Sequence, residues 1–321
     1  DGARRAAVAI VISYLVSFTL SGIYFFAKGG RLNNPKRQLK PLLSSALPIT
    51  GMRTSNAIVN SAISLLLPAR LIAAGFTSSE AMSEIGIAMG MSMPILSIPS
   101  TLIGSLALVM VPELAENFFR GEHEKLRDNI ERAIKVTVLI ACLLIPPLFV
   151  LGVDVGELLF SSTRGGEIIR NCCFMLLPMS LGMITNSILN SLGYEKRTCA
   201  YFFVGAAATL ACVWFLPQYV GVYALMIGMA ASSVITMTLN LTFIAKKSKE
   251  KVRYLKHTLV ATASMLPAIL FGCLLRDLLS KLMPALPAAI LCGCILLAAE
   301  GLFILALGLA QPQWVKVLVR K

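Results

Sequence analysis

The sequence predicts an all-α, polytopic membrane protein, folded as a helix bundle with nine spans. Of its 321 residues, 57% are hydrophobic and 14% are charged, whereas an ordinary globular domain has roughly 25% charged residues. Uncharged stretches of about twenty residues recur along the chain, which is the length that crosses roughly 30 Å of hydrocarbon as a helix. These observations exclude most soluble folds.

The candidate spans are nine apolar runs separated by short loops. In chain order they cover residues 6–27, 42–67, 82–112, 133–153, 168–192, 198–217, 220–245, 256–276 and 286–310.

Loop charges predict the orientation, because Lys and Arg are retained on the cytoplasmic side. Of the 29 basic residues, 21 lie in alternate connections. These connections are residues 28–40, 113–135, 196–197 and 246–256 and the tail after Trp314. We therefore expect a multi-pass protein of the cytoplasmic membrane with a cytoplasmic carboxy terminus and a first span that runs inward. Arg4 and Arg5 would then lie outside, and the chain starts at Asp1, so we expect it to be a fragment.

The connection at residues 112–132 mixes acids and bases with Leu, Phe and Ile. This pattern predicts a helix that lies at the membrane interface with its charged face in the cytosol.

Several function classes are disfavoured by composition. The net charge is +13, but the basic residues lie between apolar runs without interleaved aromatics, so we expect no nucleic-acid partner. The eight cysteines lie almost all in apolar segments, without nearby His or paired spacing, so we expect no metal and no cofactor. A membrane glycosyltransferase needs acidic residues close together, and no two of the four Asp are close in sequence. We therefore expect no enzyme.

Arg53 is the clearest functional candidate. It lies about eleven residues into the second span, roughly 16 Å from the cytoplasmic end, and an ionisable side chain at such depth is costly. Asn56, Asn60 and Ser64 follow on the same helical face. This polar stripe is typical of a cavity wall that binds an anionic cargo, since a guanidinium binds phosphate with paired hydrogen bonds. Alternatively, Arg53 pairs with Glu84 or Glu300 and holds the bundle together.

Two acidic residues within the predicted spans are candidates for coupling transport to an ion. Glu84 lies near the external mouth and Glu300 near mid-depth. A buried carboxyl can act as a switchable proton carrier or bind a cation. A structural role for each is the alternative.

The third span contains the residues that break helices, including Gly86, Gly90, Pro94 and Pro99. Proline removes a backbone hydrogen bond and bends a helix, so Pro94 and Pro99 are possible hinges for alternating access. The GxxxG spacing of Gly86 and Gly90 predicts a close helix contact. In the fifth span, Asn186 and Asn190 share a face and are expected to form hydrogen bonds between helices.

Residues 47–116 carry a family resemblance. The LLLPARLIAAGF turn after the polar-striped helix, the GMSMP break and the VPELAE exit into a charged connector resemble the polysaccharide-biosynthesis and stage V sporulation protein B family. That family belongs to a superfamily with the multidrug and toxin extruders and the lipid II flippase, and its members have fourteen helices in two lobes plus a final pair.

The resemblance implies a domain organisation. Residues 1–30 would be the last helix of the amino-terminal lobe, 31–41 a basic cytoplasmic linker, 42–245 the carboxy-terminal six-helix lobe, and 246–321 the final pair and basic tail. The nine spans would be the last nine of the fourteen.

The resemblance also implies a function. Such a protein would be a flippase in a bacterial cytoplasmic membrane, moving polyprenyl-pyrophosphate-linked precursors of peptidoglycan, spore cortex or surface polysaccharide by alternating access. Its partners would be the lipid bilayer, this glycolipid, and a coupling cation or proton. The substrate-binding role carries over to Arg53, with Asn56 and Asn60 beside it. The alternative is a cation-coupled exporter of drugs or other organic cations.

Overall fold

The computed structural model describes residues 2–30, 36–248 and 254–307. Over these residues the chain is all-helical. The helices are α1 (Gly2–Ala27), α2 (Lys36–Ala73), α3 (Ser78–Ile85), α4 (Met93–Phe119), α5 (His123–Phe160), α6 (Thr163–Cys172), α7 (Leu176–Ser191), α8 (Glu195–Phe215), α9 (Pro217–Val220), α10 (Tyr223–Ser248), α11 (Tyr254–Leu282) and α12 (Ala285–Ala306). A π-helical turn, Gly86–Ser92, joins α3 to α4, and a 3-10 turn, Cys173–Met175, joins α6 to α7.

The number and order of the predicted spans are confirmed. Within the described residues, nine helical segments are long and apolar enough to cross a membrane. They are Val8–Ala27, Ile49–Ala73, Ser78–Phe119, His123–Phe160, Thr163–Ser191, Glu195–Phe215, Tyr223–Lys246, Thr258–Leu282 and Ala285–Ala306. Each overlaps one apolar run of the sequence, because about twenty apolar residues satisfy their backbone hydrogen bonds in lipid only as a helix.

The chain divides into two compact units, Asp1–Leu47 and Pro48–Lys321. The first unit contains α1 and the first residues of α2. Residues 36–41, expected to be part of a linker, are helical. Residues 31–35 lie outside the described residues, as do residues 249–253 of the basic connection and the tail after 307. The division into a lobe at 42–245 and a final pair at 246–321 stays a prediction.

The second unit is organised around α5, which packs against α4, α6, α7, α11 and α12. Helix α7 also packs against α4 and α10, and α10 packs against α8. Because successive spans run in opposite directions, their turns gather at two ends of this unit. We call the end with the turns at 74–77, 161–162, 216–222 and 283–284 the outer end, and the end with the turns at 120–122 and 192–194 the inner end.

The charged connector differs from the prediction of an interfacial helix. Helix α4 continues to Phe119 and α5 begins at His123, so residues 112–132 are two helix ends joined by a tight turn. Gly121 makes the turn with a positive φ of 73°, a conformation that glycine adopts without steric cost. Asn129 of α5 donates a 2.9 Å hydrogen bond to Glu113 of α4, which links the two helices beside the turn.

The third span is broken by a π-helical turn directly before Pro94. Proline has no N–H to donate to the carbonyl four residues earlier, Gly90, and its ring crowds that carbonyl. The hydrogen bonding shifts by one residue, and the Met93 N–H reaches the Ala88 carbonyl instead. Pro99 lies inside α4 and is buried. The predicted break is therefore present at 86–92, while hinge motion at Pro94 or Pro99 stays a prediction.

The prediction of a close helix contact at Gly86 and Gly90 is wrong. A Cβ added at either glycine would meet no atom within 4 Å. The tight approach lies instead between α5 and α6, where a Cβ on Gly166 would come within 2.5 Å of Val153 Cα and one on Gly152 within 2.8 Å of the Arg170 nitrogen. Glycine is required at these positions because the two backbones touch.

Candidate functional site

Helix α2 has one face that is buried toward the outer end and exposed toward the inner end. Ile63, Leu67 and Leu71 are buried in the core, with exposed fractions of 5%, 1% and 0%. Arg53 and Asn60 precede Leu67 by steps of seven residues, which is close to two full turns of an α-helix, so they lie on the same face. Both side chains are nevertheless exposed. The bundle-facing side of α2 is therefore uncovered along the inner half of the helix, and we call this uncovered part the opening.

The predicted polar stripe occupies this opening. Asn56 and Ser64 are also exposed, and their offsets from Arg53 place them on the same side of α2. Ser64 donates a 2.9 Å hydrogen bond to the Asn60 carbonyl. The opposite side of α2 carries Ile58 and Leu65, which are 64% and 76% exposed, as expected of a surface that faces lipid. We name Arg53, Asn56, Asn60 and Ser64 the polar stripe.

Arg53 does not pair with either acid proposed from the sequence. Glu84 is hydrogen-bonded to Arg164, and Glu300 is hydrogen-bonded to Ser264. Among the described residues, Arg53 has no hydrogen-bond or ion-pair partner. Its charge is therefore available to a ligand in the opening.

The outer end of α2 is attached to α8. The Arg70 guanidinium donates a 2.9 Å hydrogen bond to the Trp214 carbonyl and lies 4.8 Å from the centre of the Trp214 ring. A cation over an aromatic ring adds electrostatic attraction to the hydrogen bond. Together with the buried side chains of Leu67 and Leu71, this contact holds α2 against the bundle at the outer end.

An ionic cluster lies at the outer end, around Arg164 of α6. Its guanidinium contacts the Glu84 carboxylate at 3.2–3.4 Å and Glu167 at 3.2 Å. It also lies 5.4 Å from the centre of the Tyr223 ring, whose hydroxyl accepts a 3.2 Å hydrogen bond from Asn171. The cluster joins α3, α6 and α10, and it keeps Glu84 paired with a cation.

A shallow cavity of about 460 Å³ adjoins this cluster and is open to the surroundings. Its lining residues come from the α2–α3 turn and from α3. They are Ala74, Gly75, Phe76, Glu80, Ser83 and Glu84. Glu80 is occupied in capping α3, because its carboxylate accepts hydrogen bonds from the Thr77 N–H and hydroxyl. Both carboxylates of the cavity therefore already have donors.

A buried polar cluster connects α7 and α10. Asn240 is fully buried and donates hydrogen bonds to the Thr185 hydroxyl (3.1 Å) and to the Asn186 side-chain oxygen (2.8 Å). The prediction that Asn186 forms a hydrogen bond between helices is confirmed. The side-chain oxygens of Asn190 and Asn240 are buried, and neither has a hydrogen-bond partner among the described residues.

Glu300 is buried within the final helix pair. Its side chain is 1% exposed, and Oε1 lies 3.0 Å from the Ser264 hydroxyl of α11. Its Oε2 atom is buried and has no hydrogen-bond partner in the part of the chain that the structure describes. Of the two acids singled out from the sequence, Glu300 is therefore the one that no described cation neutralises.

Sequence reasoning missed several ionic residues near helix ends. Asp154 of α5 and Arg276 of α11 form a partly buried ion pair, and Arg164 forms the outer cluster. These partners are 122 and 80 residues apart, so no local pattern links them. The available signal was their position at the predicted external ends of spans, where a charge that does not follow the loop-charge rule needs a partner.

Comparisons with known proteins support a transport family. Residues 59–278 match the family described as PelG, an exopolysaccharide exporter (EPS-E). The chain is also similar to two proteins of Bacillus subtilis (strain 168). It is 29% identical to sporulation protein YkvU over 99 residues, which are 31% of this chain and 22% of that protein. It is 22% identical to stage V sporulation protein B over 186 residues, or 58% of this chain and 36% of that protein. The chain thus spans between a fifth and two fifths of the length of these relatives.

Proposed function

The chain belongs to the PelG family of exopolysaccharide exporters, a family of transporters rather than catalysts, and from this premise we propose that it is part of a flippase for polyprenyl-pyrophosphate-linked sugar precursors. The cargo class would be a precursor of peptidoglycan, spore cortex or surface polysaccharide. The family match supports the surface-polysaccharide member of this set, and the similarity to two sporulation proteins supports the spore-associated member.

The observation that carries the proposal is the exposed polar stripe on the bundle-facing side of α2. A lipid-facing surface would carry apolar residues there, as the other side of α2 does at Ile58 and Leu65. A packed interface would bury the stripe, as it buries Leu67. A polar, exposed and bundle-facing surface at membrane depth fits a water-filled passage.

The charge of the stripe favours an anionic cargo. Arg53 is fixed on a helix, and a guanidinium donates two parallel hydrogen bonds to a phosphate oxygen pair. Asn56 and Asn60 lie one and two turns further along α2 and add amide donors and acceptors. Such groups suit the second phosphate or the first sugar of the cargo. In this proposal Arg53 binds the pyrophosphate, and Asn56, Asn60 and Ser64 line the path beside it.

The two-lobe architecture belongs to the same proposal. The nine spans would be the last nine of fourteen, with α1 closing the first lobe, α2 to α10 forming the second, and α11 and α12 the final pair. Two parts of the third span would act as hinges in alternating access: the π-helical turn at 86–92 with Pro94, and Pro99. Glu300 would couple transport to a proton or cation, since Glu84 is already paired with Arg164.

The test is native mass spectrometry of the full-length protein. The protein is offered an equimolar mixture of a polyprenyl-pyrophosphate glycolipid and a lipophilic cation, and the bound fraction of each is measured. We expect the glycolipid to be retained selectively. Arg53→Ala is expected to lose at least tenfold in affinity, because one charge-assisted bidentate contact contributes about 1.5–3 kcal/mol.

The matched control is Arg120→Ala, which removes an arginine from the surface turn between α4 and α5. Arg120 is 66% exposed and paired with Glu116 at 2.8 Å, so its loss should leave glycolipid binding unchanged. Equal binding by wild-type protein and Arg53→Ala would contradict the role of Arg53. Equal loss in both variants would show a non-specific effect of net charge.

The second candidate function is the cation-coupled exporter of organic cations. Glu300 favours it, because a carboxyl without a cationic partner among the described residues could exchange a proton for a cationic drug. Arg53 opposes it, because a cation in the passage repels a cationic cargo. Preferential retention of the lipophilic cation in the same mixture would move the assignment to this branch.

A further inference from the structure

The Glu300 carboxyl and the Ser264 hydroxyl form a hydrogen-bonded chain within the final helix pair. The Ser264 Oγ atom lies 3.0 Å from Glu300 Oε1 and 2.7 Å from the Ala261 carbonyl oxygen. Ser264 is 3% exposed and Glu300 is 1% exposed. Both side chains are therefore almost fully buried among the described residues.

A neutral Glu300 carboxyl fits both contacts of Ser264. A hydroxyl has one hydrogen to donate, and a carbonyl oxygen can only accept. The Ser264 hydroxyl is within donating distance of two acceptors, the Ala261 carbonyl and Glu300 Oε1. If Glu300 is a carboxylate, these acceptors share the one Ser264 hydrogen. If Glu300 is a neutral acid, it can donate to Ser264 while Ser264 donates to Ala261, so that each contact has its own hydrogen.

The surroundings of Glu300 also favour the neutral form. An ionised carboxylate that is removed from water is strongly disfavoured unless a cation compensates its charge. Three cationic residues of the helices packed on α12 are placed away from Glu300 or paired: Arg276 of α11 pairs with Asp154, Lys135 of α5 pairs with Glu131, and Lys281 is near the outer end of α11. Among the described residues no cation pairs with Glu300.

The other cationic groups of α5 are His123, Lys125, Arg127 and Arg132, which lie ten or more residues before Cys142 on this helix. Lys125 pairs with Glu122 and Arg127 with Asp128. Cys142 is buried and carries a free thiol. Asp277 lies near the outer end of α11, and the other titratable groups of α12 itself are Cys292 and Cys294. The side chains of Lys256 and His257, at the start of α11, lie outside the described residues.

We propose that Glu300 is a proton-binding site, loaded in this conformation, and that the chain Glu300–Ser264–Ala261 fastens α12 to α11 while the proton is bound. Glu300 lies six residues before the end of α12 at Ala306, about 9 Å along the helix from the inner end. Separation of α11 and α12 at this end would let water reach the carboxyl. The proton would pass to that water, and the carboxylate would be hydrated instead of hydrogen-bonded to Ser264.

The experiment is infrared difference spectroscopy of the full-length protein in lipid at neutral pH. The spectrum of Glu300→Gln is subtracted from that of the wild type, which isolates the carboxyl of this residue. We expect the carbonyl stretch of a neutral carboxylic acid, shifted in Ser264→Ala because its hydrogen-bond acceptor is gone. A carboxylate stretch in place of the acid band would overturn the proposal.

Glu84→Gln is the matched control. Glu84 also lies in a membrane span, but it is paired with Arg164. Subtracting the Glu84→Gln spectrum from that of the wild type should therefore show a carboxylate stretch. Glu300→Gln keeps the size of the side chain and a donor for Ser264, and is expected to fold. An acid band that is unchanged in Glu300→Gln would assign it to another residue and refute the inference.

The use of this proton in coupling rests on the proposed function. In vesicles, a proton gradient should accelerate glycolipid transport several-fold in the wild type and leave Glu300→Gln unaffected. Equal acceleration of both would refute coupling through Glu300. The native mass spectrometry described above reports independently on the cargo, because Glu300 and the polar stripe lie on different helices.

Discussion

Arg276 of α11 donates two hydrogen bonds to Asp154 of α5, with Nε 2.9 Å from Oδ2 and Nη2 2.5 Å from Oδ1. The Asp154 side chain is 9% exposed and that of Arg276 is 35% exposed. This bidentate pair holds the final helix pair against the central helix of the second unit, next to the small apolar cluster around Leu151, Leu279 and Cys292.

Loss of this ion pair should destabilise the protein. Asp154→Ala leaves Arg276 without its partner, and removing one member of a buried pair costs about 3–5 kcal/mol; the partial exposure of Arg276 places the expected cost at about 3 kcal/mol. Thermal unfolding in detergent should show a Tm lower by roughly 5 °C or more. The control is Glu116→Ala, which breaks the exposed pair with Arg120 and should change stability by less than about 0.5 kcal/mol.

A double-mutant cycle separates the pair from the individual side chains. Asp154→Ala with Arg276→Ala removes both charges, so the double variant should be less destabilised than the sum of the single variants. Strict additivity would contradict a direct interaction between these two residues.

The sequence predicts the spans well and their contacts poorly. The nine helices follow from apolar length, which is a local property, and the break before Pro94 follows from the chemistry of one residue. Ion pairs between distant helices, such as Asp154–Arg276 and Glu84–Arg164, depend on which helices become neighbours. A local sequence pattern does not contain that information. The GxxxG spacing of Gly86 and Gly90 was misleading because it marks small residues without stating which side of the helix meets a neighbour.

The close approach of α5 and α6 gives a second stability prediction. Gly166→Ala places a Cβ within 2.5 Å of Val153 Cα and 2.7 Å of the Gly152 carbonyl oxygen, so the helices must separate. We expect a loss of about 1–3 kcal/mol, typical of overpacking, measured as the free energy of unfolding in detergent and denaturant. Gly86→Ala is the control, since its Cβ meets no atom within 4 Å; a similar loss in both variants would contradict the packing argument.

The π-helical turn gives a prediction on transport. Pro94→Ala restores an N–H that can donate to the Gly90 carbonyl, so the turn at 86–92 should convert toward an α-helix. We expect unchanged or higher thermal stability together with a several-fold slower transport rate in vesicles, because a hinge has been straightened. Pro99→Ala is the comparison at a buried position of α4. Normal transport by Pro94→Ala would argue against a hinge at this turn.

The opening along α2 gives the last prediction, which does not depend on the cargo. Three cysteine variants sample different surfaces of α2. Asn60→Cys lies in the polar stripe, Leu65→Cys lies on the opposite side, and Leu67→Cys lies on the buried part of the bundle-facing side. A membrane-impermeant, charged thiol reagent reacts only where water reaches the sulfur as a thiolate. In inverted vesicles of the full-length protein, peptide mapping should find the label in the Asn60→Cys variant and no label in the variants at positions 65 and 67. Labelling at position 65 but not at position 60 would reverse the assignment of the two sides, and α2 would then present its polar stripe to a packed or lipid-covered surface.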